Sequence, residues 1–370
     1  MVRSLDVAIL GGGPAGCATA MALVREGFST ALIERTNYLN VRVGETLPPE
    51  VKAPLGSLGV WEQFMRDAPC TCSGIHLAWG RPDILQSDYI FNPFGTGWHI
   101  DRRRFDTMLA RRAEKAGTHM FTVASKIACR EGAKGDWKIR IRRDGKQFDI
   151  RSKFLVDATG RASVLARKSS AARVCYDRLV GVVVFLSATG RDQVSDCTFV
   201  ESVEDGWWYS AHLPDSRVVV AYMTDADLNE KGSNRSIQHW REQLCRTTHT
   251  QAIIDHHVLD TGPVVVSANS SRLSRFGDKN WLAVGDAAVA FDPLSGQGVY
   301  HALESGIRAA RAIRNLFGGD LTALRSYATE TEESFDQYLN IRNKFYGLET
   351  RWPHSTFWRR RCGLVRTSAK

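Results

Sequence analysis

A glycine-rich turn within the first forty residues constrains this 370-residue chain more than any other feature. Val7-Ala8-Ile9-Leu10 is a short apolar run suited to a buried parallel strand. It leads into Gly11-Gly12-Gly13-Pro14-Ala15-Gly16 and then into Cys17–Arg25, rich in Ala, Met and Leu, which reads as a helix. Thr30–Ile33 makes a second strand that ends at Glu34, with Arg35 beside it. Strand, G-x-G-x-x-G, helix, strand, acid is the order a dinucleotide-binding βαβ unit requires. Gly11 permits the tight turn, Gly13 lets the backbone approach a pyrophosphate, and Gly16 lets the helix pack closely on the strand. Pro14 and Ala15 open the helix, whose free N–H groups and positive dipole end attract phosphate. Glu34 is placed to accept the ribose hydroxyls of an adenosine.

The distant half of the chain decides which dinucleotide. Trp281–Val284 reads as a third buried strand, ending in Gly285-Asp286-Ala287-Ala288. Phe291-Asp292-Pro293-Leu294-Ser295-Gly296-Gln297-Gly298 follows, and then a helix from about Val299 to Leu316. A nicotinamide unit has no need of such an element. A flavin does, because its ribityl chain and ring extend past the pyrophosphate. Asp286 can accept hydrogen bonds from ribityl hydroxyls. The turn Pro293 to Gly298, with Gly296, Gln297 and Gly298 at a helix start, can aim N–H groups at the flavin N1/C2 edge and stabilise the reduced ring. FAD, held non-covalently, is the expected cofactor. There is no second G-x-G-x-x-G unit, so electrons are expected from transient NAD(P)H or from a separate flavin reductase.

With Asp157-Ala158-Thr159-Gly160, these blocks resemble the three FAD motifs of the FAD-dependent monooxygenase and halogenase flavoproteins. The resemblance implies an α/β fold. It would have a glutathione-reductase-type Rossmann FAD domain, an inserted antiparallel β-sheet substrate domain and C-terminal helices. The FAD domain is then expected over 1–68, 96–170 and 268–318, and the substrate domain over 69–95 and 171–267. Residues 319–370 would form a helical segment and a basic tail. The same resemblance implies that Arg42 and Arg102 reach the flavin or pyrophosphate, that Ile127 clasps the adenine through its backbone, and that Gly160 and Gly285 belong to the FAD motifs.

The inserted sheet is expected to cover the flavin ring and set the substrate class. In Gly206-Trp207-Trp208-Tyr209, alternation puts Trp207 and Tyr209 on one face and Trp208 on the other. One set can line a pocket for a planar aromatic while the other fills the core. The catalytic candidates are Glu45, His99, Trp207, Tyr209 and Pro293, with His99 as a proton carrier. Three subfamilies share these motifs. Flavin-dependent halogenases need a lysine to carry the electrophilic halogen, and the comparable stretch Thr71–Ile75 has none. Their G-W-x-W-x-I-P pattern is also broken at Tyr209. Geranylgeranyl reductases would want a long apolar tunnel. The chain is most similar to maturation flavoproteins of the LodB/GoxB type, which help convert a tryptophan of a partner oxidase into a quinone cofactor. That similarity rests on Arg42–Pro49, Gly97–Arg102, Gly206–Ser210, Asp292–Gly298 and Arg351-Trp352-Pro353. It implies hydroxylation of an electron-rich aromatic, either a small molecule or a tryptophan in a partner protein. A flavin-containing maturation chaperone is the non-enzymatic alternative.

Composition excludes little beyond this. Lys and Arg number 49 against 40 Asp and Glu, a net charge of +9 that is dispersed rather than gathered on a nucleic-acid module. Its densest pieces are Arg102–Arg104, Lys138–Lys146 and Arg359–Arg361, and the tail has Arg351, Arg359, Arg360, Arg361, Arg366 and Lys370 without acids, interleaved with Trp352, Phe357 and Trp358. Arginine with tryptophan is a composition of interface hot spots, so the tail is expected to dock a protein partner. No apolar stretch approaches the ~20 residues of a membrane span. The scattered cysteines read as reduced thiols of a cytoplasmic protein, and no metal set is expected from their spacing.

Overall fold

The computed structural model describes residues 3–133, 135–188, 195–229, 236–255 and 257–362. Five parallel strands form the heart of the first sheet, in the order Trp281–Ala283, Lys146–Asp157, Arg3–Leu10, Thr30–Ile33, His119–Phe121. Strands covered on both faces read as continuous apolar runs, and Val7, Ala8 and Ile9 are fully buried. The helix Pro14–Arg25 covers one face together with the helix Gly298–Phe317. Their contact is close because Gly306 faces Ala15 and Ala18, where an added Cβ would come 2.6 Å from the Ala15 carbonyl oxygen.

The second sheet has seven strands, in the order His257–Ser267, Leu179–Ala188, Arg217–Asp225, Gly206–His212, Cys197–Val203, Gly74–Ala78, Leu85–Asp88. It is antiparallel except at one place. Cys197–Val203 and Gly74–Ala78 run parallel, with Cys197 opposite Gly74 and Phe199 opposite His76. That pair joins segments more than a hundred residues apart in sequence. A small sheet links the two large ones: Gly97–His99 pairs with Thr46–Leu47 on one side and Cys70–Cys72 on the other.

The helix Ala323–Tyr346 works as a strut across the molecule. Tyr327, Phe335 and Tyr346 each enter a different apolar core. The chain then turns back, and through residue 362 the tail expected to dock a partner packs on the chain itself. Phe357 and Trp358 are buried against Trp79 and Trp207, and Trp352 packs beside them. Three of the tail's arginines are engaged within the chain, while Arg359 is exposed. Arg351 pairs with Glu349 at 2.7 Å, Arg360 with Asp225 and Asp227, and Arg361 with Asp225 at 2.7 Å. Arg366 and Lys370 lie outside the described residues. All eight cysteines are free thiols, and among the described residues no helix is long and apolar enough to cross a membrane.

Candidate functional site

The glycines of the first turn divide into two kinds. Gly11 has φ +104°, and a Cβ there would lie 2.2 Å from the Ala158 carbonyl oxygen. A Cβ at Gly16 would lie 2.0 Å from the Gly11 carbonyl oxygen. These two are required by the packing of the chain on itself. Gly13 is different: a Cβ there meets nothing within 4 Å. It opens onto space at the start of the helix Pro14–Arg25, whose first N–H groups have no side-chain cap. Gly160, Gly296 and Gly298 open onto space in the same way. A cradle whose glycines face outward where nothing of the protein fills them fits a bound dinucleotide.

Glu34 is buried at the end of its strand, where it accepts from the Gly12 N–H at 2.7 Å and from the Thr36 N–H at 2.8 Å. Arg42 lies 3.6 Å from Glu34 and 2.7 Å from Asp106. Arg102 shares Asp106 at 3.2 Å and donates to the Val43 carbonyl at 2.6 Å. Asp106, fully buried, therefore gathers both expected arginines at the turn that carries Gly44 and Glu45. Arg35 is exposed. Ile127 stands in an antiparallel ladder opposite Ile141. The backbone that reaches Glu34 comes from Phe121 and Ala124 instead, with the Ala124 N–H 3.0 Å from the Glu34 carbonyl.

On the opposite side, Gly285 has φ +55° and Asp286 pairs with Arg161 at 3.3 Å. Pro293 and Gln297 are exposed at the turn, and Gly296 has φ +63°. The turn is anchored from below by Asp292, the first residue of the Asp292–Gly298 motif, whose partners the motif does not reveal. Asp292 is buried, takes the Tyr346 hydroxyl at 2.8 Å, and pairs with Arg342 at 3.2 Å. The strut helix thereby fixes the turn from Pro293 to Gly298, a relation that needs contacts over fifty residues of sequence.

Where the second sheet meets the small one lies a partly buried polar chain. The Tyr209 hydroxyl is 2.7 Å from Thr46 Oγ1, which is 3.2 Å from Thr198 Oγ1. Thr198 is in turn 2.9 Å from His99 Nε2 and 3.7 Å from the Cys72 thiol. Burial, with His212 nearby, pushes His99 down to about 4, so it is a neutral imidazole near pH 7. Burial, with the charge of Glu45, pushes the Tyr209 phenol well up. The faces alternate as expected, but Trp207 is not a pocket residue. It is fully buried in the core and donates from Nε1 to the Tyr346 hydroxyl at 3.0 Å. Trp208, on the other face, stacks on Tyr222. Nothing in the sequence joins Thr46, Cys72 and Thr198, since single hydroxyls and thiols are common and only the sheet register brings these together.

Glu45 is the remaining candidate. Its carboxylate is buried, accepts the Gly44 N–H at 2.9 Å through Oε2, and leaves Oε1 with no hydrogen-bond partner. Burial pushes it up to about 7, opposed by the Gly44 N–H and the Arg102 charge. The sign follows from linkage. Between the ordinary value of 4.5 and about 7 the folded protein holds a proton that the unfolded chain has released. Stability therefore falls as pH rises through that window and levels off above it. Glu45→Gln is expected to remove this slope, matching the parent protein near pH 4.5 and exceeding its stability above pH 8 by on the order of 2–3 kcal/mol. Urea unfolding of the flavin-free protein across this range tests it. Parallel pH profiles for the two would count against a proton held on Glu45.

Comparison with known proteins follows the same outline. A family model described as an FAD binding domain matches residues 4–340. LodB of Marinomonas mediterranea, described as an FAD-dependent oxidoreductase, is 28% identical over 368 residues, spanning 97% of both chains. Among solved structures, the flavin-dependent halogenase CmlS superposes with a TM-score of 0.86 at 25% identity, over 98% of this chain and 68% of that one. QhpG, a peptidyl tryptophan dihydroxylase essential for tryptophylquinone cofactor biogenesis, superposes with a TM-score of 0.80 at 25% identity, over 97% and 79%.

Proposed function

The chain belongs to the FAD binding domain family and is an FAD-dependent oxidoreductase, and within that class we propose that it is a monooxygenase that hydroxylates the indole of a tryptophan carried by a partner protein. The observation that carries this reading is the composition of the polar chain Tyr209–Thr46–Thr198–His99, with Cys72 and Glu45 beside it. These residues can bind, orient and hold protons, but none is an ammonium group able to carry an electrophilic halogen. Bound FAD, once reduced, supplies the activation of O₂. The chain's part is to exclude water and hold the ring. Neutral His99 and the hydroxyls linked to it offer a path for the proton released when an aromatic carbon is hydroxylated. Electrons would come from NAD(P)H or a separate flavin reductase.

A protein-borne substrate is supported by the surface beside the site. Ile90 is 80% exposed and Phe91 94%, on a turn whose neighbour Tyr89 lies against Gly97. Such a patch suits a protein surface better than water. It replaces the basic tail as the docking element.

Halogenation is the second reading, favoured by the likeness to CmlS. The test uses the holoprotein with a flavin reductase, O₂ and halide, offered free tryptophan and a tryptophan-bearing partner protein. Gain of one or two oxygen atoms on the partner's tryptophan is expected. A chlorinated or brominated indole would overturn the proposal.

A further inference from the structure

The face of the second sheet that points away from the polar chain carries an arrangement unrelated to flavin chemistry. Strand register places Cys197, Gly74 and Asp88 in one row across three strands, with His76 two residues along the middle strand. Alternation then sends Thr198 toward His99 and Cys197 to the opposite face. Gly74 has no side chain to occupy the row, and an added Cβ there would lie 2.9 Å from Asp88 Oδ1. The carboxylate therefore leans over the glycine. His76 Nε2 is 3.8 Å from Asp88 Oδ1, and one ligand atom from each of His76, Asp88 and Cys197 lies within 4.8 Å of the others. Asp196 adds a second carboxylate, 3.5 Å from the Cys197 thiol. Among the described residues, no lysine or arginine pairs with Asp88 or Asp196.

We propose that His76, Asp88 and Cys197 form a zinc site that fastens the edge strand Leu85–Asp88 to the sheet. Imidazole nitrogen, carboxylate oxygen and thiolate sulfur are the donor types zinc takes, at about 2.0–2.3 Å. Tetrahedral bonds of that length put ligand atoms ~3.3–3.8 Å apart, so the three must close by roughly 1 Å. Asp88, half exposed on an edge strand, can make most of that movement. Binding releases the thiol proton to solvent, and the new thiolate bond forms to the metal. Asp196 or a water completes the fourth position. The strand held in this way has every residue exposed and leads directly into Tyr89–Phe91. Metal at this row would give it the attachment that its side chains do not supply.

The test uses untagged full-length holoprotein, stripped by a chelator and titrated with Zn²⁺ against a chromophoric competitor. One equivalent is expected to bind, and Asp88→Asn and Cys197→Ser are each expected to weaken it at least tenfold. Co²⁺ is expected to give a thiolate-to-metal charge-transfer band that Cys197→Ser abolishes. Retained flavin absorbance certifies the fold of each variant. If Cys197→Ser does not fold, Asp88→Asn and His76→Gln decide, since both side chains reach solvent. No stoichiometric binding, or binding and a cobalt band unchanged in the variants because exposed Cys175 and Cys245 hold the metal, would overturn the proposal. Neither outcome bears on the flavin chemistry.

Discussion

Gly13→Val is expected to abolish FAD binding while leaving the fold intact. Gly13 sits at φ −74°, ψ −176°, a conformation that any residue adopts, and its missing Cβ would touch nothing within 4 Å. The folded chain therefore loses little more than a helix-capping preference, about 1 kcal/mol. A bound pyrophosphate has no such freedom. It must approach the backbone at this point, and an isopropyl group would hold it off the helix N–H groups. FAD affinity should fall at least about a hundredfold, or ~2.8 kcal/mol. Gly16→Val supplies the contrast. Its Cβ would drive into the Gly11 carbonyl oxygen, so it should fail to fold with or without flavin. Flavin absorbance after gel filtration, together with a thermal melt of each variant, separates the two. A yellow Gly13→Val protein of parental affinity would remove the first turn from the cofactor site.

Asp225→Ala should be the most destabilising single change in the C-terminal region, at about 3–5 kcal/mol. Asp225 and Arg361 are both almost wholly buried and pair at 2.7 Å. The Arg361 guanidinium lies 3.6 Å over the Phe357 ring and 5.2 Å over that of Tyr346. Removing the carboxylate strands a cation in an apolar setting whose Nε already lacks a hydrogen-bond partner. Arg360 also loses a partner but keeps Asp227. The same packing predicts the fate of a chain cut after residue 350. Without Phe357, Trp358 and Arg361, the core around Trp79 and Trp207 opens, so FAD content and activity should fall together. Urea denaturation measures both variants. A truncated chain that binds FAD and unfolds like the intact one would restore the tail as a detachable docking arm.

Local patterns carried what local physics can carry. Val7–Glu34 is legible because a strand, a glycine turn, a helix, a strand and an acid are all contiguous, and each glycine has a steric reason readable from spacing. Gly285, Asp286 and the helix that opens at Gly298 were legible for the same reason. So was the alternation that divides Trp207 and Tyr209 from Trp208, since period two is a property of any strand. Alternation could not say which face is core. Trp207 lies inside because Tyr346, 139 residues later, closes over it and takes its N–H. The tail misled for a related reason. Arginine with tryptophan has one composition whether it meets a partner or its own chain, and only the fold supplied Asp225, Asp227 and Glu349 as counter-ions.

Contacts between neighbours along the chain dictate the dinucleotide fold, the flavin and the positions of the first-turn glycines, so these are legible in the sequence. Tertiary structure alone decided the polar chain from Tyr209 to His99, the anchoring of Asp292 by Arg342 and Tyr346, and the row of Cys197, Gly74 and Asp88. Each of these joins residues from strands or helices that meet only once sheet register is fixed. Register is set by the burial of whole faces, so no single stretch of sequence contains it.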